Sequence, residues 1–277
     1  MKYRVLKEEE LLTYLLNNLE LSNKKIKSLL KYENILVNNK VITKYNYILK
    51  IGDIVSIKEY KTKKHNVALN VIYEDKNIIV INKEAGLLTI GTEHEKEKTL
   101  YHLVSMYVKE ENKNNNIFVI HRLDKDTSGI VMFAKNEKVK MLYQNNWNDI
   151  VISRNYIALV EGILDKKENT IKSYLKENKN NIVYSTKDKT GKLAITNYKV
   201  IKEGKNSLLD INIETGRKNQ IRVHMKELGH SIIGDKKYGN KSDRLYLHAY
   251  KLVIKNPITN KIDIYEVKIP NKFYKVG

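Results

Sequence analysis

A short charged run divides the chain into two stretches of different texture, and this change constrains the fold more than any other feature. Residues 61–66 read Lys-Thr-Lys-Lys-His-Asn, too polar to enter a core. Before them apolar residues recur at helical spacing. After them short apolar runs alternate with Gly, Asn and Asp turns. The pattern predicts a small domain over residues 1–60, a linker over 61–68 and a larger domain over 69–277.

In the first stretch Leu11, Leu12, Leu15, Leu16 and Leu19 share one side of a helix. Ser22 is placed to cap a second helix reaching about residue 32. Its apolar side is Ile26, Leu29 and Leu30, and Lys24, Lys25 and Lys27 make a positive side. Residues 35–37, the pair Asn38-Asn39 and Val41 read as a hairpin, and the turn Gly52-Asp53 leads into an alternating strand at 54–57. In the second stretch strands are expected at 78–81, 117–120, 129–134, 156–160, 194–201 and 208–213. Helices are expected at 100–108, 139–147 and 218–228, the last closing on Gly229. Helices interspersed among hairpin-like returns predict an α+β fold with a large mixed, mostly antiparallel sheet.

With 42% hydrophobic residues in 277, the chain can fill two cores. No apolar stretch approaches the roughly 20 residues of a membrane span. Glu8, Glu9 and Glu10 stand where a leader peptide would carry its apolar core. A cytoplasmic monomer with no membrane partner is expected. The absence of cysteine excludes disulfides and thiolate metal sites, and the histidines show no HExxH spacing, so neither metal nor cofactor is expected.

A formal charge of +19 points to a polyanionic partner. Richness in Lys, Asn, Ile and Tyr weakens that inference, because such a bias inflates lysine without functional demand. The arginines say more: of 51 basic residues only Arg4, Arg122, Arg154, Arg217, Arg222 and Arg244 are arginine. In so lysine-rich a chain, arginine marks places where a planar, forked guanidinium is wanted.

Chemistry concentrates in Ile120 to Asn136, IHRLDKDTSGIVMFAKN, where a strand enters a tight polar loop and another leaves it. Asp124 lies between Arg122 and Lys125, so its carboxylate is expected to stay ionised. Thr127, Ser128 and Gly129 supply turn chemistry. Further strings follow in order: Lys83-Glu84-Ala85-Gly86 upstream, then Arg154-Asn155-Tyr156, then TGRKNQIRVHMKELGHSIIGDKKYG from Thr215 to Gly239, then Leu247-His248-Ala249. Together they resemble the signature segments of RluA-type pseudouridine synthases over about residues 69–270. Four departures stand out. Glu84 replaces a proline, Arg154 a lysine, Asn219 a histidine, and Asn256 the histidine that commonly precedes Pro257. The N-terminal stretch, above all Val37 to Ile57, resembles the αL-type RNA-binding domain named after a small-subunit ribosomal protein.

This resemblance implies isomerisation of uridine to pseudouridine in RNA, with large-subunit ribosomal RNA the leading substrate and transfer RNA behind it, and with no cofactor. It makes Asp124 the reacting carboxylate, as nucleophile toward sugar or base or as an eliminating base. Arg222 would pair with Asp124, lowering its pKa and fixing its rotamer. Tyr156 would stack on the base and assist a late proton transfer. A base worked on at its glycosidic bond must leave its stack, and Arg122 resembles the residue that fills the vacated space. Arg217 and the lysines at 24, 25 and 27 are expected to contact RNA. His121 is expected either to contact RNA or to order the loop from within. A non-catalytic RNA-binding or ribosome-assembly protein is the alternative, disfavoured because Asp124, Tyr156 and Arg222 all survive in one chain. Phosphoryl transfer would need clustered acidic metal ligands, and the candidate site is basic apart from Asp124 and Asp126.

Overall fold

The structure is a computed structural model describing every residue except Met1, Glu20, Tyr32, residues 58–68, His94, Lys187 and Gly277. The expected linker at 61–68 and the side chains of Lys24 and Lys25 lie outside the described residues. The chain divides into two compact units, Met1–Val67 and Ala68–Gly277.

The first unit runs β1 (Lys2–Arg4), β2 (Glu9–Glu10), α1 (Leu11–Asn18), α2 (Asn23–Lys31), β3 (Ile35–Val37), β4 (Lys40–Val41), β5 (Ile48–Leu49) and β6 (Ile54–Ile57). Helical periodicity builds its core: Leu11 and Leu15 of α1 and Ile26 and Leu30 of α2 pack with Ile35, Val37 and Val55 of the sheet. Leu16 departs from the expected stripe and is exposed. Asn38 and Asn39 take φ of 49° and 65°, the two left-handed residues that a tight β3–β4 hairpin requires. Lys27 is exposed.

The second unit runs β7 (Val71–Glu74), β8 (Ile78–Lys83), α3 (Leu100–Glu111), β9 (Phe118–Val119), β10 (Ser128–Ala134), α4 (Glu137–Asn145), α5 (Trp147–Ile150), β11 (Val151–Glu161) and β12 (Glu168–Glu177). It continues with β13 (Val183–Thr186), β14 (Lys192–Glu203), β15 (Asn206–Ile213), α6 (Gln220–Glu227), β16 (Leu247–Lys255) and β17 (Ile262–Glu266). These strands form one 11-stranded sheet in the order β13-β12-β14-β15-β11-β16-β10-β8-β7, with β17 beside β16 and β9 beside β10. The architecture is α+β with a mixed, mostly antiparallel sheet. Among the described residues one pairing in it is parallel, β10 with β16.

Strand β10 is buried along its whole length, and its alternation sends side chains to two different cores. Ile130, Met132 and Ala134 pack with Val139 and Tyr143 of α4. Val131 and Phe133 pack with Leu100, Val104 and Val108 of α3. The helix expected at 139–147 is divided between α4 and α5 at Asn146, whose side-chain amide donates to the Leu142 carbonyl. The helix expected at 218–228 starts later, at Gln220, because Asn219 is left-handed at φ 54°. It ends as expected: Gly229 takes φ 83°, its N–H reaches the Lys226 carbonyl and that of His230 the Met225 carbonyl. Periodicity does not mark β12, whose sequence ENTIKSYLKE is mostly polar, nor β13 or β17.

At the parallel junction Gly129 pairs with Ala249 at φ 116°, and a Cβ there would overlap the Ala249 carbonyl oxygen. Only glycine lets the strands meet. Gly129→Ala is therefore expected to destabilise the unit by about 3 kcal/mol or more, from overpacking added to a left-handed backbone. Gly86→Ala, at φ 84° with nothing near its Cβ position, should cost only the backbone term of roughly 1–2 kcal/mol. Denaturant melts of the two variants check the difference.

Candidate active site

The loop between β9 and β10 is built around Leu123. This side chain is buried in the cluster that holds Val131, Phe133 and Ala249, which leaves Arg122 and Asp124 on either side of it. Its backbone is held by a single hydroxyl: Thr89 Oγ1 donates to the Leu123 carbonyl at 2.7 Å and accepts from the Leu123 N–H at 3.2 Å. One residue past Asp124, the Lys125 carbonyl accepts from the Gly86 N–H and from Lys83 Nζ at 2.9 Å. Lys83 Nζ also donates to the carbonyls of Glu84 and Leu87. Three acceptors match the three N–H groups of an ammonium, although burial pulls the Lys83 pKa down to about 7 against the attraction of Asp126 and Asp124. Ser128, opening β10, accepts from Arg244 Nη2 at 2.6 Å and hydrogen-bonds His248 Nδ1 of β16 at 2.8 Å.

Asp124 opens into a cavity of about 460 Å³, large enough for a nucleoside-sized group. Arg122, Arg154, Arg217 and Arg222 all line it, so four of the six arginines converge on one space. Asp124 is the one carboxylate among the lining residues. Burial pushes its pKa up, and Arg222, Lys83, Lys218 and Arg122 pull against that without reversing it. The net direction is opposite to the expectation that basic neighbours would lower it. The sequence shows neighbouring charges and hides desolvation.

Arg222 also departs from expectation. Its Nη1 stands 3.7 Å from Asp124 Oδ2, an ion pair without a hydrogen bond. Its fork goes elsewhere: Nε donates to Asp235 Oδ2 at 2.7 Å and Nη2 to Asp235 Oδ1 at 2.6 Å. Nη1 donates to Asn219 Oδ1 at 3.0 Å, and the guanidinium lies over the Tyr238 ring. Asp235 is fully buried and escapes sequence reasoning. It sits in a Gly-Asp-x-x-Tyr-Gly string where the glycines suggest only a turn.

Tyr156 reaches the cavity from β11, where it pairs with Ala249 beside a register shift, a feature that re-aims side chains. Burial, helped by the Asp124 charge and opposed by Arg154, pushes its hydroxyl up to about 12, so it is a neutral phenol. Arg154 is pinned by the Glu214 carbonyl at 2.6 Å and lies against Gly216, where a Cβ would come within 2.7 Å of its Nη1. His121 lines the cavity, but its Nε2 accepts the Met132 N–H and its ring packs on Trp147. Burial, with Arg154 adding to it, lowers His121 to about 3 and keeps it neutral. Arg122 and Arg217 are exposed, and Arg217 Nε donates to the Leu193 carbonyl. Lys24, Lys25 and Lys27 belong to α2 in the other unit. Among the described residues no group of His, Asp and Glu is arranged to hold a metal ion.

Residues 77–227 match the family model for RNA pseudouridylate synthase. YhcT of Bacillus subtilis, named as an uncharacterized RNA pseudouridine synthase, is 31% identical over 91% of this chain and 87% of its own length. The ribosomal large subunit pseudouridine synthase D of Borreliella burgdorferi is 36% identical over 68% of this chain and 62% of its own length. Synthase C of Rickettsia bellii is 35% identical over 74% and 70%. Among solved structures, human RNA pseudouridylate synthase domain containing 4 matches with a TM-score of 0.62 at 21% identity, covering 74% of this chain and 90% of that one. At that identity the likeness speaks for the fold.

The Thr89 hydroxyl is the most easily tested of the loop's supports. Thr89→Val keeps the shape and leaves the Leu123 N–H and carbonyl unpaired in the interior, an expected loss of about 1–3 kcal/mol. Thr89→Ser retains the hydroxyl and is expected to stay close to wild type in the same thermal and denaturant melts.

Proposed function

The chain belongs to the RNA pseudouridylate synthase family, and we propose that it isomerises chosen uridines of large-subunit ribosomal RNA through the carboxylate of Asp124. One observation carries the reading: a nucleoside-sized cavity with a single carboxylate, an aromatic phenol on its wall and four arginines around it. The Borreliella and Rickettsia bellii relatives are among those that bear ribosomal large-subunit names, which favours that RNA over transfer RNA.

The reaction breaks the bond from ribose C1′ to N1 and makes one from C1′ to C5. A proton leaves C5 and N1 gains one, so no oxidant or second substrate is consumed. Asp124 acts as nucleophile or as eliminating base, and either role needs it ionised and basic. Its raised pKa serves basicity, and Arg222 holds it without a hydrogen bond. Tyr156, neutral and next to the carboxylate, stacks on uracil and relays the late proton. Arg122 and Arg217, exposed at the cavity, meet the phosphates and the space the flipped base vacates. His121 supports the loop beneath them. In the N-terminal unit, α2 offers Lys24, Lys25 and Lys27 to RNA phosphates in the manner of an αL-type domain.

Asp124→Asn is expected to abolish pseudouridine formation while RNA affinity survives, and turnover retained by this variant would overturn the assignment. In wild type, kcat/KM should fall on acidification with a midpoint above the ordinary aspartate value of about 4, because the ionised form is required and folding raises its pKa. Replacing all three lysines of α2 by glutamine should flatten the salt dependence of RNA binding. Each phosphate that a lysine no longer neutralises takes about 0.7–0.9 from the slope of log K against log salt.

A further inference from the structure

We propose that Asp235 is a positioning residue for the reaction: it claims the guanidinium fork of Arg222, so that Asp124 faces this arginine across 3.7 Å and keeps its oxygens free. The proposal rests on Asp124 being the reacting carboxylate.

Two carboxylates share one guanidinium, and they share it unequally. Asp235 takes both parallel N–H groups, the strongest arrangement the pair offers. Its Oδ1 also accepts the backbone N–H groups of Lys237 and Tyr238 at 2.9 and 3.0 Å. That makes four hydrogen bonds, three on Oδ1 and one on Oδ2, on a side chain with no exposure. Asp235 is thus an anchor that stays ionised. Asn219 takes a further N–H on Nη1 and the Tyr238 ring lies against the guanidinium, so with Asp235 in place the fork of Arg222 is held off Asp124.

A guanidinium free of Asp235 would swing its fork onto Asp124. That would tighten the pair, hold both oxygens of Asp124 in charge-assisted hydrogen bonds and make it a poorer nucleophile and base. The other groups that bear on Asp124 are lysines, one phenol and the exposed Arg122. Lys83 spends its three N–H groups on carbonyls. Lys218 is paired with Glu177. Arg122 is exposed, Tyr156 is a neutral phenol, and Lys237 donates to the Asn181 carbonyl. Control of the reacting carboxylate therefore runs through Asp235, a residue that does not line the cavity.

The test is a carbon-13 NMR titration of the full-length protein with labelled aspartate carboxyls, the Asp124 signal being the one that disappears in Asp124→Asn. In Asp235→Asn the Asp124 midpoint is expected to fall by about one pH unit as Arg222 turns to it, and the acid limb of turnover on ribosomal RNA should move the same way. An unchanged or raised midpoint would overturn the proposal. Should Asp235→Asn not fold, Arg222→Lys answers the same question. A lysine makes one contact, stays with the buried Asp235 and leaves Asp124, whose midpoint should then rise; a fall or no change overturns the proposal. Because the titration needs no turnover, its result stands apart from the activity of Asp124→Asn.

Discussion

Gly129 meeting the backbone of Ala249 is the contact on which the catalytic unit depends. An antiparallel sheet grows by hairpins, each strand beside its predecessor. Here two antiparallel regions, in which several neighbouring strands are not consecutive in sequence, are joined side by side at a parallel pairing only two residues long, Ser128 with His248 and Gly129 with Ala249. On one flank stands β8 and on the other β11, which delivers Tyr156 opposite the same Ala249. The loop carrying Asp124 ends where this pairing begins. Residues far apart in sequence thereby face one space, and a methyl group at position 129 would separate them.

Around this junction most polar groups of the loop are paired, although the buried His248 Nε2 and Arg154 Nε are not. Thr89, Lys83 and Gly86 take up the carbonyls of the loop, and Ser128 links Arg244 to His248. Asp235 accepts four hydrogen bonds, whereas Asp124 receives charge at a distance and keeps its lone pairs. The contrast between the two carboxylates is the electrostatic design of the site: the same arginine is structural toward one and permissive toward the other.

Much of this is legible in the sequence, and what is not has physical causes. Helical spacing marks α1 and α2, an unbroken apolar run marks β10, and Asn38-Asn39 and Gly52-Asp53 mark turns of the small sheet, because these elements are decided locally. Strand β12 is invisible since its stability comes from its neighbours and not from an apolar face. Asp124, Tyr156 and Arg222 stand out through ordered motifs, and the structure brings all three to one cavity. The Arg222–Asp235 fork is hidden, since thirteen residues of separation across the end of α6 say nothing about pairing. The direction of the Asp124 pKa is hidden for a related reason: charges can be counted in a sequence, but the dielectric around them cannot.

The two kinds of arginine differ also in what dissolved ions can reach. At physiological ionic strength, charges on an open surface are screened beyond about 8 Å, so the fields of the exposed Arg122 and Arg217 shrink as salt is added. Arg222 and Asp235 are sealed from that exchange. Concentrated salt therefore acts on the two kinds differently: it shortens the reach of the exposed arginines and leaves the interior pair in register, and dilution restores the first without having disturbed the second.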